Sequence, residues 1–233
     1  MRSLIPNTLT SLNLVFGMCS MMATYQGDYV FGAVFILLAL VADGLDGRAA
    51  RAFGVSGELG KELDSLCDLG SFGIAPAFLA YSYCLAFYGR LGQAVAIIFA
   101  LCGMWRLARF NVNADVVHGY FMGLAIPAGG CVVATSIWLF SLTGTDATIL
   151  LPCFPAAMVV VSYLMVSGIH YPNFKGDGGE KIYFASKVFA LLVFAGILYL
   201  GREAIVPAIF LGVFGTYMLF GVFNYALHLV SGK

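Results

Sequence analysis

Tyr29-Val-Phe-Gly-Ala-Val-Phe-Ile-Leu-Leu-Ala-Leu-Val-Ala42 runs directly into Asp43-Gly-Leu-Asp46-Gly47-Arg-Ala-Ala50-Arg51, and Gly60, Asp64 and Asp68 follow after eight intervening residues. The apolar half of this stretch is what a membrane-crossing helix requires. Its acidic half stands where carboxylates cost several kcal/mol each unless they are paired or metal-bound. A chain that places four aspartates there is expected to use them.

The remainder of the sequence agrees. Of 233 residues, 61% are hydrophobic and 10% charged, against roughly 25% charged in an ordinary soluble domain; mean hydropathy is +0.93. Apolar stretches near 8–26, 29–51, 62–87, 91–111, 123–143, 147–167, 185–201 and 205–230 predict about eight helices of spanning length. They are continuously apolar, so an all-α polytopic transmembrane bundle is favoured over a β-barrel, whose strands would alternate. The whole of 1–233 reads as a single integral membrane domain, with polar connections at 112–122 and 168–184. Only Arg2 precedes the first apolar stretch and the short turn Gln26-Gly27-Asp28 follows it, so this stretch is read as a first membrane helix rather than a cleaved signal.

With the N-terminus in the cytoplasm, ten basic residues (Arg2, Arg48, Arg51, Lys61, Arg106, Arg109, Lys175, Lys181, Lys187 and Lys233) fall on that side, and two, Arg90 and Arg202, fall outside. That bias sets the orientation. It puts the aspartates at the cytoplasmic leaflet of a cell (inner) membrane and makes 112–122 and 168–184 cytoplasmic loops. The net charge is zero, which gives no reason to expect nucleic acid as a partner. The six cysteines are scattered singly, as packing residues rather than as a zinc site or disulfide framework.

At about 100° per residue, Asp43, Asp46, Gly47, Ala50 and Arg51 share an arc of roughly 140° on the second helix. Asp64 and Asp68, four apart, share a face of the third. Gly54 and Gly57 permit a tight reversal between them, so the two helices are expected to pack antiparallel with all four carboxylates converging. Without cations these carboxylates would repel. An oxygen-only donor set suits Mg²⁺ or Mn²⁺, and a pair of such ions suits transfer chemistry on a diphosphate. Gly47 and Ala50 leave room for a bulky ligand, and Arg51 offers a fork for phosphate. Simple ion pairing with Arg48 or Arg51 would not need four acids. A cation-coupled transporter is the alternative outside enzymes, because intramembrane carboxylates also mark ion pathways.

The pattern Asp43-x-x-Asp46-Gly47-x-x-Ala50-Arg51-x8-Gly60-x-x-x-Asp64-x-x-x-Asp68 resembles, at every defined position, the signature of the CDP-alcohol phosphotransferases, membrane enzymes that move a phosphatidyl or similar group from a CDP-linked donor to an alcohol. Four flanking segments, Ile5–Asn13, Asp68–Ala77, Trp105–Asn111 and Phe121–Ala128, are similar to the serine-accepting, membrane-embedded branch of that family. The resemblance covers roughly the first 130 residues. It implies transfer of the phosphatidyl group of CDP-diacylglycerol to L-serine with release of CMP. By the same resemblance Asp43, Asp46, Asp64 and Asp68 would ligate two metals, and Asp68 would be the general base on the serine hydroxyl. Gly47 and Arg51 would contact the CDP-diacylglycerol head, the Ser56-Gly57 turn would line the nucleotide, and a homodimer is implied. Other acceptors within the family are glycerol phosphate and inositol phosphate, and an ether-linked archaeal lipid is another donor.

Arg106, Arg109 and Asn111 lie at the end of the fourth predicted span. They are expected either to anchor that helix at the interface or to hold the serine carboxylate or a lipid phosphate. Asn7, Thr10 and Asn13 bring amides and a hydroxyl near the site, unless Asn7 or Thr8 serves to cap the first helix.

Overall fold

The computed structural model describes residues 4–54, 57–113, 120–144, 147–172 and 183–231. Helices α1 (Leu4–Tyr25) and α2 (Tyr29–Phe53) form the opening hairpin. Gly27 takes a left-handed φ of 82° in the turn. Asp28 then starts α2, its carboxylate accepting the Phe31 N–H at 3.1 Å, as an N-cap aspartate should. Gly54 ends α2 in the left-handed conformation, its N–H donating to the carbonyls of Ala50 and Arg51.

The third rod is a composite of α3 (Glu58–Asp68), a widened π turn over Leu69–Ile74, and α4 (Ala75–Tyr83). A short 3₁₀ turn at Leu85–Tyr88 leads into α5 (Arg90–Asn113). Then come β1 (Tyr120–Met122), α6 (Ile126–Thr143), α7 (Ala147–Val166), β2 (His170–Pro172), α8 (Phe184–Leu200) and α9 (Ile205–Ser231). With Glu58–Tyr83 taken as one rod, the described helices make eight, in the expected order. Five of them are long and apolar enough to cross a membrane, and Cys153–Val166 and Phe184–Leu200 are shorter apolar helices. Among the described residues the expected all-α architecture is supplemented by one antiparallel strand pair with Tyr120 opposite Pro172, Phe121 opposite Tyr171 and Met122 opposite His170. Both strands fall within the segments read as polar loops.

Phe72, Ile36, Leu79, Phe99, Ile126 and Ile137 are fully buried, while Phe31, Val41, Ile97, Leu191 and Val213 face outward. Large apolar side chains on the outside are what a lipid solvent favours. The π turn lies at the centre of the bundle, pressed by α1 and α6. A Cβ at Gly17 would come within 2.5 Å of Ser71 Oγ, and one at Gly130 within 2.6 Å of the Phe72 carbonyl oxygen. Glycine at these two positions permits the approach.

Candidate active site

Helices α2 and α3 do not pack face to face as expected. Among the described residues α1 packs against both, and α2 and α3 meet hardly at all. The physical reason is their sequence: the facing surfaces carry carboxylates and glycines, which supply neither apolar area nor charge balance to close a helix pair. A cleft of about 330 Å³ opens instead. Pro6, Asn7 and Thr10 of α1 line it, with Asp46, Gly47, Ala50 and Arg51 of α2 and Gly57, Gly60, Lys61 and Asp64 on the α3 side. Asn7 and Thr8 lie inside α1, which is already helical at Leu4, so neither is its cap.

Asp43, Asp64 and Asp68 each present a carboxylate oxygen within 4.8 Å of the others. Asp46 stands outside that trio but lines the cleft with Asp64 and is buried, with the Thr10 hydroxyl and the Gly47 N–H in hydrogen-bonding reach. Asp46 Oδ2 and Asp64 Oδ1 are buried and have no hydrogen-bond donor among the described residues. Buried anionic oxygens without donors, in an oxygen-only set, suit a hard divalent cation. The guanidinium of Arg51 folds back over Gly47, its Nη1 3.7 Å from where a Cβ would stand. Gly57 lies at the cleft, in extended conformation ahead of α3; Ser56 lies outside the described residues.

Asp68 is tied from two directions. Asn13 Nδ2 donates to Asp68 Oδ1 at 3.0 Å. From α5, Arg106 is near enough to interact electrostatically with Asp68 and with Tyr217 of α9, though its Nε has no acceptor among the described residues. Only 7% of Arg106 is exposed, and its guanidinium lies 5.0 Å from the Phe110 ring centroid. A side chain so placed does not snorkel to the interface.

Arg109 and Asn111, expected as substrate contacts, are engaged elsewhere. Arg109 Nη1 donates to the Val166 carbonyl at 2.8 Å. Its Nη2 donates to the carbonyls of Met122 at 3.2 Å, Met165 at 3.3 Å and Ser167 at 3.0 Å. The carbonyls of Met165, Val166 and Ser167 lie at the end of α7, where a cation satisfies them well, and that of Met122 ends β1. Asn111 Nδ2 donates to Ser65 Oγ at 2.9 Å, and its carbonyl accepts from Lys61 Nζ at 3.0 Å, tying α5 to α3. His170 and His228 rest their rings on Tyr225 and Tyr183, with centroids 5.4 and 6.4 Å apart. Two participants were missed in the sequence: Ser71, whose hydroxyl donates to the Asn13 carbonyl at 2.9 Å, and Tyr217. No spacing from the aspartates could have pointed to a tyrosine six helices further on.

A bundle that gathers aspartates of the second and third rods beside a glycine-lined cleft defines a membrane-embedded transferase, and the sequence pattern of the CDP-alcohol phosphatidyltransferases matches residues 3–167. The chain belongs to that family. A Helicobacter pylori protein named CDP-diacylglycerol-serine O-phosphatidyltransferase is 34% identical over 234 residues, covering 98% of this chain and 93% of its own. A Bacillus subtilis protein of the same name is 35% identical over 179 residues, covering 76% of this chain and 95% of its own. The archaetidylserine synthase of Methanothermobacter thermautotrophicus is 38% identical over 179 residues, covering 76% and 72%.

Proposed function

We propose that this enzyme transfers the phosphatidyl group of CDP-diacylglycerol to the hydroxyl of L-serine, giving phosphatidylserine and CMP. The observation that carries the reading is similarity along 98% of the chain to a protein named for that reaction, on a fold that draws Asp43, Asp64 and Asp68 together. Family membership answers the transporter alternative. Serine is common to the names of all three relatives, whereas the lipid differs, so an ether-linked donor is the second reading.

Asp43, Asp64 and Asp68, with Asp46 alongside, would hold Mg²⁺ or Mn²⁺ as a pair of ions, whose charge would offset that of the diphosphate. Gly47 and Ala50 leave the cleft open for the donor head, Arg51 offers its fork to a phosphate oxygen, and Gly57 borders the nucleotide. Arg106, buried and with Nε free to donate, takes the serine carboxylate. Asp68 accepts the proton of the serine hydroxyl as its oxygen bonds to phosphorus, and the bond to CMP breaks with its electron pair leaving on CMP. The proton then passes from Asp68 to solvent. The bias of basic residues supports a cytoplasmic active site in an inner membrane. Resemblance to the family supports a homodimer.

The test is CMP release by purified protein in lipid nanodiscs, offering L-serine, glycerol phosphate or inositol phosphate in turn with CDP-diacylglycerol or its ether-linked counterpart. Serine should be the productive acceptor, and Asp64→Asn should fall below about a tenth of the wild-type rate. Turnover with another acceptor and none with serine overturns the reading.

A further inference from the structure

We propose that Asn13 is a positioning residue that aims the proton-accepting carboxylate of Asp68, an inference resting on the reading of Asp68 as general base. Asn13 Nδ2 donates to Asp68 Oδ1 at 3.0 Å. Asn13 is wholly buried, and Asp68 is 7% exposed. The amide has one workable orientation, because turning it over would set its carbonyl oxygen against a carboxylate.

That orientation leaves Asn13 Oδ1 buried and without a donor among the described residues. A buried acceptor left unsatisfied is destabilising. A mere tie between helices has cheaper solutions, and α1 uses one of them: Ser20 Oγ donates to the Gly32 carbonyl at 2.7 Å and joins α1 to α2 with a single hydroxyl. The cost at Asn13 is intelligible if the N–H is needed at one carboxylate oxygen.

The surroundings hold the amide still. Ser71 Oγ donates to the Asn13 main-chain carbonyl at 2.9 Å, so the π turn following Asp68 grips the residue that orients Asp68. One turn along α1, Gly17 lets the Ser71 backbone approach; its Cβ would stand 2.9 Å from Ser71 Cα. With Oδ1 bonded to α1, the plane of the Asp68 carboxylate is fixed and Oδ2 keeps one direction for the serine proton. Asn13 touches the base rather than the substrate, so its loss should slow the chemical step and spare binding.

The experiment compares Asn13→Leu and Asn13→Ala with Ser20→Ala, in membranes and in the wild-type and Asp68→Glu backgrounds. Asn13→Ser, smaller and polar, replaces the first two wherever they insert poorly. The Asn13 variants should lower kcat about 10- to 100-fold, the range a misaimed group costs. Their KM for serine and for CDP-diacylglycerol and the Mn²⁺ concentration for half activity should stay within about threefold of wild type. Ser20→Ala should lower thermal stability and leave kcat within about twofold. In the Asp68→Glu background, where the carboxylate is already displaced, the Asn13 change should cost less than about threefold.

Unchanged kcat, an equal loss in both backgrounds, or a metal requirement that rises in step with the loss overturns the positioning role. Normal turnover by Asp68→Asn shows instead that the base is elsewhere, and the underlying reading fails whatever the Asn13 variants do.

Discussion

Arg106 and Arg109 sit three residues apart on α5 and invite the same reading from sequence, yet their neighbours divide them. Arg109 meets three main-chain carbonyls at the end of α7 and that of Met122 in β1, so its guanidinium caps α7 and ties it to the strand. Arg106, beside the acidic cluster, retains an Nε without an acceptor among the described residues. Arg106→Ala should therefore raise the KM for serine by roughly 10- to 150-fold, the value of a charge-assisted contact of about 1.5 to 3 kcal/mol, and leave the KM for CDP-diacylglycerol nearly unchanged. Arg109→Ala should lower thermal stability instead, with near-normal serine kinetics in the folded fraction. Steady-state kinetics alongside a melting curve separates the two, and reversed results would exchange the roles. The distinction was not legible in the sequence, because what claims Arg109 is backbone, and carbonyl groups carry no residue signature. The aspartates were legible because their spacing matches a helical period within one short segment.

At the scale of elements, the rods and their order were readable from apolar length. Their partners were less so. Helix α1 stands between α2 and α3, a neighbour relation that hydropathy cannot report, and the strand pair arises from two three-residue segments 50 residues apart. The tight crossing of α6 over the π turn depends on Gly130, where a Cβ would lie 2.6 Å from the Phe72 carbonyl and 3.0 Å from its Cα. Backbone atoms cannot rotate away, so Gly130→Val should force the helices apart at a cost of about 1 to 3 kcal/mol. Thermal melting should show the loss, and activity should fall with it, since the π turn carries Ser71 and, through it, Asn13. A variant as stable and active as wild type would show that the crossing is loose.

For the whole molecule, three acidic oxygens within 4.8 Å in a largely apolar body mean that part of the stability depends on the ionic conditions. Stripping divalent ions with a chelator should abolish CMP release and lower the melting temperature, and adding back Mg²⁺ or Mn²⁺ should restore both. An ion at about 100 times its dissociation constant contributes roughly 2.7 kcal/mol. Asp64→Asn should weaken that stabilisation, whereas Ca²⁺ could restore stability without turnover. A melting temperature indifferent to every divalent ion would remove the cluster as a metal centre.

The widened turn at Leu69–Ile74 also governs how the third rod counts its residues. Each residue added to an α-helix rotates everything after it by about 100°. A π turn, hydrogen-bonding across five residues instead of four, absorbs one extra residue and keeps the flanking faces in phase. Removal of one residue within Leu69–Ile74 would leave Asp64 and Asp68 in register with the buried face of Leu79 and Ala80. The same removal within Ala75–Tyr83 would swing the rest of the rod toward lipid. The rod thus carries a point at which its length can change by one without turning its faces over, and that point lies immediately after Asp68.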